Sequence, residues 1–276
     1  MSFGSNLAVA EVLVRRPLVL APLPSSLLTL FSADAFSINS DLREYLERYP
    51  HAVEDPDRSG NRDFYQNRLR SRPHPCATID EIHSQWKGDF DLLEAHHGYI
   101  QFLFPIRESG GVNIHAQPLM KHEIAALVEN DPAFPARLLR SYELMLEFYG
   151  IELADRLTGA LRRTPGYLAR YQHLNYSTHN YLRITRILKS LGELGMERLK
   201  LPFLLHILGE LASGALRCAT VGRSFRDYWV GLLRDPREVL LVQRTVCELK
   251  QMEQHTGPCT LSDTSIGQIL RERTDE

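Results

Sequence analysis

The stretch that decides the fold is STHNYLRITRILKSLGELG, residues 177–195. Ile184, Ile187, Leu188, Leu191 and Leu194 recur at three- and four-residue steps, which draws one apolar stripe along a helix. Ser177 is placed to cap its start, and Gly195 can take the left-handed conformation that ends it. The same period appears on both sides. SDLREYLERYP predicts a short helix that stops at Pro50, and HAVEDPDRSGN reads as a linker. Thr78-Ile79-Asp80-Glu81 is a capping-box pattern opening a helix that reaches Trp86. Lys87-Gly88-Asp89 breaks and restarts it, and Tyr99 to Phe104 reads as the end of a core-facing helix stopped by Pro105. Further helices are expected from Pro118 to Asn130 and from Pro132 to Tyr149, with Gly150 as the stop. LPFLLHILGELASGAL is apolar nearly all round, as a central helix should be. Residues 223–254 offer two more helices, punctuated by Asp235-Pro236. Alternating β-branched patterning is almost absent.

The fold class that follows is mainly α, a single multi-helix domain with irregular loops. It is expected over residues 37–255, between a loosely ordered N-terminal tail (1–36) and a polar C-terminal tail (256–276). The 276-residue chain is long enough to bury a substantial core. Its formal net charge of -2 gives no whole-chain attraction to nucleic acid or membrane. Four cysteines with no CxxC pair read as reduced thiols in an intracellular protein. In VLVRRPLVLAPLPSSLLTLF, residues 12–31, two arginines precede an apolar run as in a targeting segment. Glu11 and prolines 17, 22 and 24 favour a tail instead. No transmembrane span is expected, because no stretch reaches the roughly 18 apolar residues a bilayer requires.

Motifs for chemistry are sparse. His122-Glu123 starts like HExxH, but Ala126 stands where the second histidine belongs. His96 and His97 lie on different helix faces. No metal and no cofactor are therefore expected. There is no GxSxG elbow and no Gly-rich phosphate loop. Asp89, Asp91 and Glu94 read as the solvated, acid-favouring start of a helix. One segment stands out: from Arg156 through Gly192 there is no Asp or Glu, while Arg156, Arg162, Arg163, Arg170, Arg183, Arg186 and Lys189 are interleaved with four tyrosines. Such segregation creates a local positive field unless acids elsewhere neutralise it. Glu143, Glu147 and Glu152 are the nearest candidates. A positive, tyrosine-rich surface suits a peptide carboxylate, a phosphate or, less strongly, a nucleic acid.

Three blocks, WKGDFDLLEAHHGYIQFLFPIRESGGVNIHAQPL, RSYELMLEFYGIELAD and LNYSTHNYLRITRILKSLGELG, resemble in order and spacing the conserved N-terminal domain of the opioid growth factor receptor family, most clearly over residues 61–212. The resemblance implies a non-enzymatic, receptor-like protein. Its animal relatives bind the pentapeptide Met-enkephalin and restrain proliferation. It also implies a cytoplasmic or nuclear location, with nuclear-envelope or peripheral membrane association. Polar residues of these blocks that core packing does not obviously require form the expected ligand surface: Arg107, Asn113, His115, Tyr176, His179, Asn180, Arg183 and Arg186. Two rivals remain open: a nucleic-acid or phosphate-binding module using residues 156–192, and an enzyme with His115 or His179 as acid/base.

Overall fold

The computed structural model describes residues 40–108 and 113–256. Both expected tails fall wholly or mostly outside these residues, as does the Gly-Gly tip of the 105–118 loop. The centre is made by three helices: α7 (Phe134–Phe148), α9 (His179–Glu193) and α10 (Lys200–Ala212). Tyr142, Met145 and Leu146 of α7 meet Ile184, Ile187 and Leu188 of α9 and Phe203 of α10 around a space no larger than a water molecule. The stripe read from the sequence is this contact. Ile184, Leu188 and Leu191 are each 1% exposed or less, and burying such a side chain stabilises by about 1.5–3 kcal/mol. Gly195 adopts φ +79°, the left-handed stop expected of it.

The other elements wrap this centre. They are α1 (Ser40–Leu46), α2 (Gly60–Tyr65), α3 (Ile79–Gln85), α4 (Phe90–Ala95), α5 (Ile100–Leu103), α6 (Lys121–Val128), α8 (Tyr167–Tyr176) and α11 (Pro236–Thr256). The capping box of α3 is complete, with Thr78 and Glu81 each bonding the other's backbone N–H. Asp235 accepts from Arg237 N at 2.9 Å and Pro236 opens α11, so the expected punctuation is a helix start.

Four expectations need correction. Tyr99 to Phe104 does not end a long helix. Extended backbone at His96 separates α4 from the four-residue α5. Gly98 there lies against Arg72 and Pro73, so closely that a Cβ would come 2.5 Å from Pro73 Cδ and 2.8 Å from Arg72 O. Second, a small antiparallel hairpin, β1 (Ile151–Leu153) with β2 (Leu161–Arg163), follows α7. Strands of three residues are too short to print an alternating pattern, and the Asp155 carboxylate holds the turn through Leu157 N and the Thr158 hydroxyl. Third, the helix expected to open 223–254 starts earlier, with π character at Cys218–Gly222 and Phe225–Trp229, and ends in a 3-10 turn, Val230–Leu232. Last, Ser177 does not cap α9. Thr178 occupies the cap position without a side-chain bond, and the Ser177 hydroxyl turns to Glu94. Among the described residues no helix is long and apolar enough to cross a membrane.

Candidate binding site around Glu94 and Arg170

Glu94 ends in the middle of the polar side chains of α8 and α9. Its Oε1 lies 3.1 Å from His173 Nε2, 3.0 Å from His179 Nε2 and 3.2 Å from the Ser177 hydroxyl, which donates to it. Its Oε2 accepts from Asn180 Nδ2 at 3.2 Å and lies 3.5 Å from Arg183 Nη1. Partial burial by itself would raise the Glu94 pKa. The Asn180 N–H and the neighbouring His173, His179 and Arg183 outweigh it, so the carboxyl titrates below its usual range.

Arg183 does more than face Glu94. Its Nη1 donates to Leu93 O at 3.0 Å and its Nη2 donates to Glu94 O at 3.1 Å, both carbonyls at the C-terminus of α4. A buried guanidinium there satisfies orphan carbonyls and complements the helix dipole. Nη2 also donates to His97 Nδ1 at 3.0 Å. Burial and the Arg183 charge hold the His97 imidazole below its ordinary pKa.

The second half of the site is a cleft of about 530 Å³ between α4, α7, the hairpin and the start of α8. Glu143, Glu147 and Glu152 line it together with Lys87, Arg156 and Arg170. Arg170 joins the cleft to the Glu94 cluster. Its guanidinium stacks over Phe90 at 4.5 Å and Phe148 at 4.7 Å, Nε donates to Phe148 O, and Nη2 donates to His173 Nδ1 at 3.3 Å. Gly150 makes this placement possible. It ends α7 at φ +84°, and a Cβ there would come 2.8 Å from Arg170 Cβ and 3.0 Å from Tyr167 Cα.

The acid-free segment is therefore mostly neutralised. Arg156 pairs with Glu143, Arg162 with Glu152, Arg163 with Glu210, Arg183 with Glu94, and Lys189 with Asp41 and Glu108. Two of these acids, Glu143 and Glu152, are among the three candidates the sequence offered. Glu147 instead lies 3.9 Å from Lys87. Arg170 has no carboxylate within ion-pair distance among the described residues.

The eight expected ligand residues divide into several places. His179, Asn180 and Arg183 meet at Glu94. Arg107 is buried and donates to Glu54, a residue of the supposed linker, at 2.7 Å. Asn113 is buried and donates to Arg72 O and Gly98 O. Arg186 donates to Phe104 O at 3.2 Å. Tyr176 is exposed beneath the Arg217 guanidinium, 4.4 Å away. His115 is exposed, and no hydrogen bond or ring contact joins it to Glu94 or His179. The sequence reading missed Glu94, Arg170, His173, His97 and Phe90 as partners. In the sequence Glu94 reads as part of a solvated face, and nothing within α4 signals the five polar groups that reach it from residues 173–183. Among the described residues no group of His, Cys, Asp and Glu is arranged to hold a metal.

The chain is thus a mainly α domain with a mixed-charge cleft beside a carboxylate–histidine hub. Comparison with known proteins gives it a family. The opioid growth factor receptor conserved region matches residues 54–262, and the chain belongs to that family. The chain is 47% identical over 173 residues to the human opioid growth factor receptor, covering 62% of this chain and 25% of that one. It is 42% identical over 207 residues to the mouse opioid growth factor receptor-like protein 1, covering 74% and 43%. With the Xenopus tropicalis protein of that name it shares 39% identity over 224 residues, 80% and 43% of the two chains. It thus spans between a quarter and under half of the length of these relatives. No solved structure matches it.

Proposed function

We propose that the chain is a non-enzymatic binding protein that takes a short peptide in the cleft in front of Arg170. The observation that carries this reading is Arg170 itself: a half-buried guanidinium, stacked on two aromatic rings, facing a cleft and lacking a carboxylate. Desolvation lowers its pKa, so the charge gains from a ligand carboxylate. Glu147, whose cation Lys87 stands 3.9 Å away, offers the opposite sign for a peptide ammonium, and Phe90 offers an apolar face. Relatives named as receptors support a ligand-binding role.

The hydrogen-bond pattern favours binding over catalysis. An arginine N–H can only donate, so His173 Nδ1 accepts and Nε2 carries the proton. That tautomer donates toward Glu94 and cannot take a proton from the Ser177 hydroxyl 3.0 Å away. A serine nucleophile needs the opposite arrangement.

Isothermal titration with Met-enkephalin, a scrambled isomer and an acetylated, amidated form tests the reading. Saturable binding of the free peptide, weakened at least tenfold by Arg170→Ala, is expected. Equal binding by wild type and Arg170→Ala, or by the blocked peptide, would remove the cleft as the site.

A further inference from the structure

On a different face, a groove of about 730 Å³ lies between α1 and α11. Leu42 and Leu46 from α1 and Leu233, Val239 and Leu240 around the start of α11 give it apolar walls. Leu240 is 57% exposed, although it is a large apolar side chain at the groove. The groove's charge is one-sided. Arg48, Arg226 and Arg234 line it with Asp227 as the single acid. Asp227 pairs with Arg226, and Arg234 reaches Glu193 and the carbonyls of Gly192 and Tyr45. Arg48 is exposed, and no ion pair ties it to a carboxylate among the described residues. It is held at the end of α1 by left-handed backbone, φ 59°, followed by Tyr49 at φ 54°.

We propose that this groove binds a single-chain fatty carboxylate, with the alkyl chain along Leu46, Val239 and Leu240 and the carboxylate at Arg48. Three features select this occupant. The walls are apolar and the unmatched charge is positive, so an amphiphilic anion complements both. The groove is bounded by a seven-residue helix, roughly 10 Å long, which suits a short chain better than a partner helix needing anchors over several turns. It is also concave. A membrane-surface site instead presents a protruding apolar face. The volume falls within the roughly 300–1,000 Å³ of small-molecule pockets.

Titration calorimetry of the full chain with octanoate, decanoate and dodecanoate below their micellar concentrations tests it. Affinity should rise about fourfold per added methylene, the equivalent of about 0.8 kcal/mol, until the groove is filled. Arg48→Glu and Leu240→Glu, both at exposed positions, should each weaken dodecanoate binding at least tenfold with the far-UV circular dichroism unchanged. Arg170→Ala should leave it unaltered, which separates this site from the peptide cleft. Dodecyltrimethylammonium binding as tightly as dodecanoate, or dodecanoate binding untouched by Arg48→Glu, would overturn the proposal. So would sedimentation with phosphatidylglycerol vesicles without saturable dodecanoate binding, which would assign the face to a membrane.

Discussion

Two polar clusters of this protein use the same chemistry to different ends. At the first, Lys200 is fully buried beneath α1. Its ammonium meets the Tyr45 hydroxyl, Glu197 Oε1 at 2.8 Å and Leu232 O at 2.9 Å, while Arg234 stacks 4.2 Å from the Tyr45 ring. A Cβ on Gly192 would collide with the Tyr45 hydroxyl and the Lys200 ammonium, so the cluster is closed against a helix backbone. At the second, the Glu94 side chain keeps 27% of its exposure and His179 keeps 42%. The first cluster, its cation at 0% exposure and only Glu197 reaching the surface, acts as a clasp. A half-open one beside a cleft can exchange a partner for a ligand. The same contrast separates Arg107, buried on Glu54, from Arg170, which has no carboxylate within ion-pair distance among the described residues.

Mutation should show the difference in stability. Lys200→Ala takes a fully buried ammonium away from the Tyr45 hydroxyl and the Leu232 carbonyl and leaves a cavity under α1, and should cost about 2–5 kcal/mol in urea unfolding. Glu94→Gln keeps an oxygen for the donors on one side but turns an NH2 toward donors on the other, and at this part-exposed position should cost about 1–2 kcal/mol. Equal losses at the two positions would break the comparison.

Acid should probe sealed sites next. Burial lowers the pKa of His206, and likewise of His83, to about 4. The unfolded chain then binds more protons than the folded one between pH 6.5 and about 4. Stability is complete above that window and falls as pH drops through it, by roughly 3 kcal/mol for each histidine. His206→Gln should flatten its share of that fall in pH-dependent unfolding. Lys200 works in the alkaline range. Burial lowers its pKa from 10.5 to about 8, so the folded state sheds its proton first and stability rises with pH between those values. The gain should vanish in Lys200→Met, read as the difference between the two proteins.

Gly150→Ala combines positive φ with the Arg170 and Tyr167 approach and should cost about 2 kcal/mol in thermal unfolding. It should weaken peptide binding by more than that loss of folded protein explains, because it displaces Arg170. The smallest effect is expected for His115→Ala. It is exposed and joined to neither cluster, so stability should change by less than about 0.5 kcal/mol, with no change in peptide affinity.

Local chemistry was legible wherever one segment contained both the cause and its effect. The α9 stripe, the Thr78–Glu81 capping box, the Gly150 and Gly195 stops and the helix start at Pro236 all follow from neighbours within a few residues. So does the mainly α fold class, since periodicity is a property of the helix itself. The hairpin and the π-helical turns were not legible, because three-residue strands and a one-residue slip of helical register leave no periodic trace.

The site belongs to the other category. By itself the sequence determined where most of the longer helices lie, which of their faces are apolar, and that residues 156–192 hold cations without acids. Only the tertiary structure decided which acids answer them: Glu94 from 79 to 89 residues earlier for His173, His179 and Arg183, and Asp41 from 148 residues away for Lys189. Pairing depends on side-chain distances of a few ångströms, and those are fixed by how the helices pack. Arg170 was one cation among seven in the text of the sequence. Packing paired five of the others and left it facing the cleft.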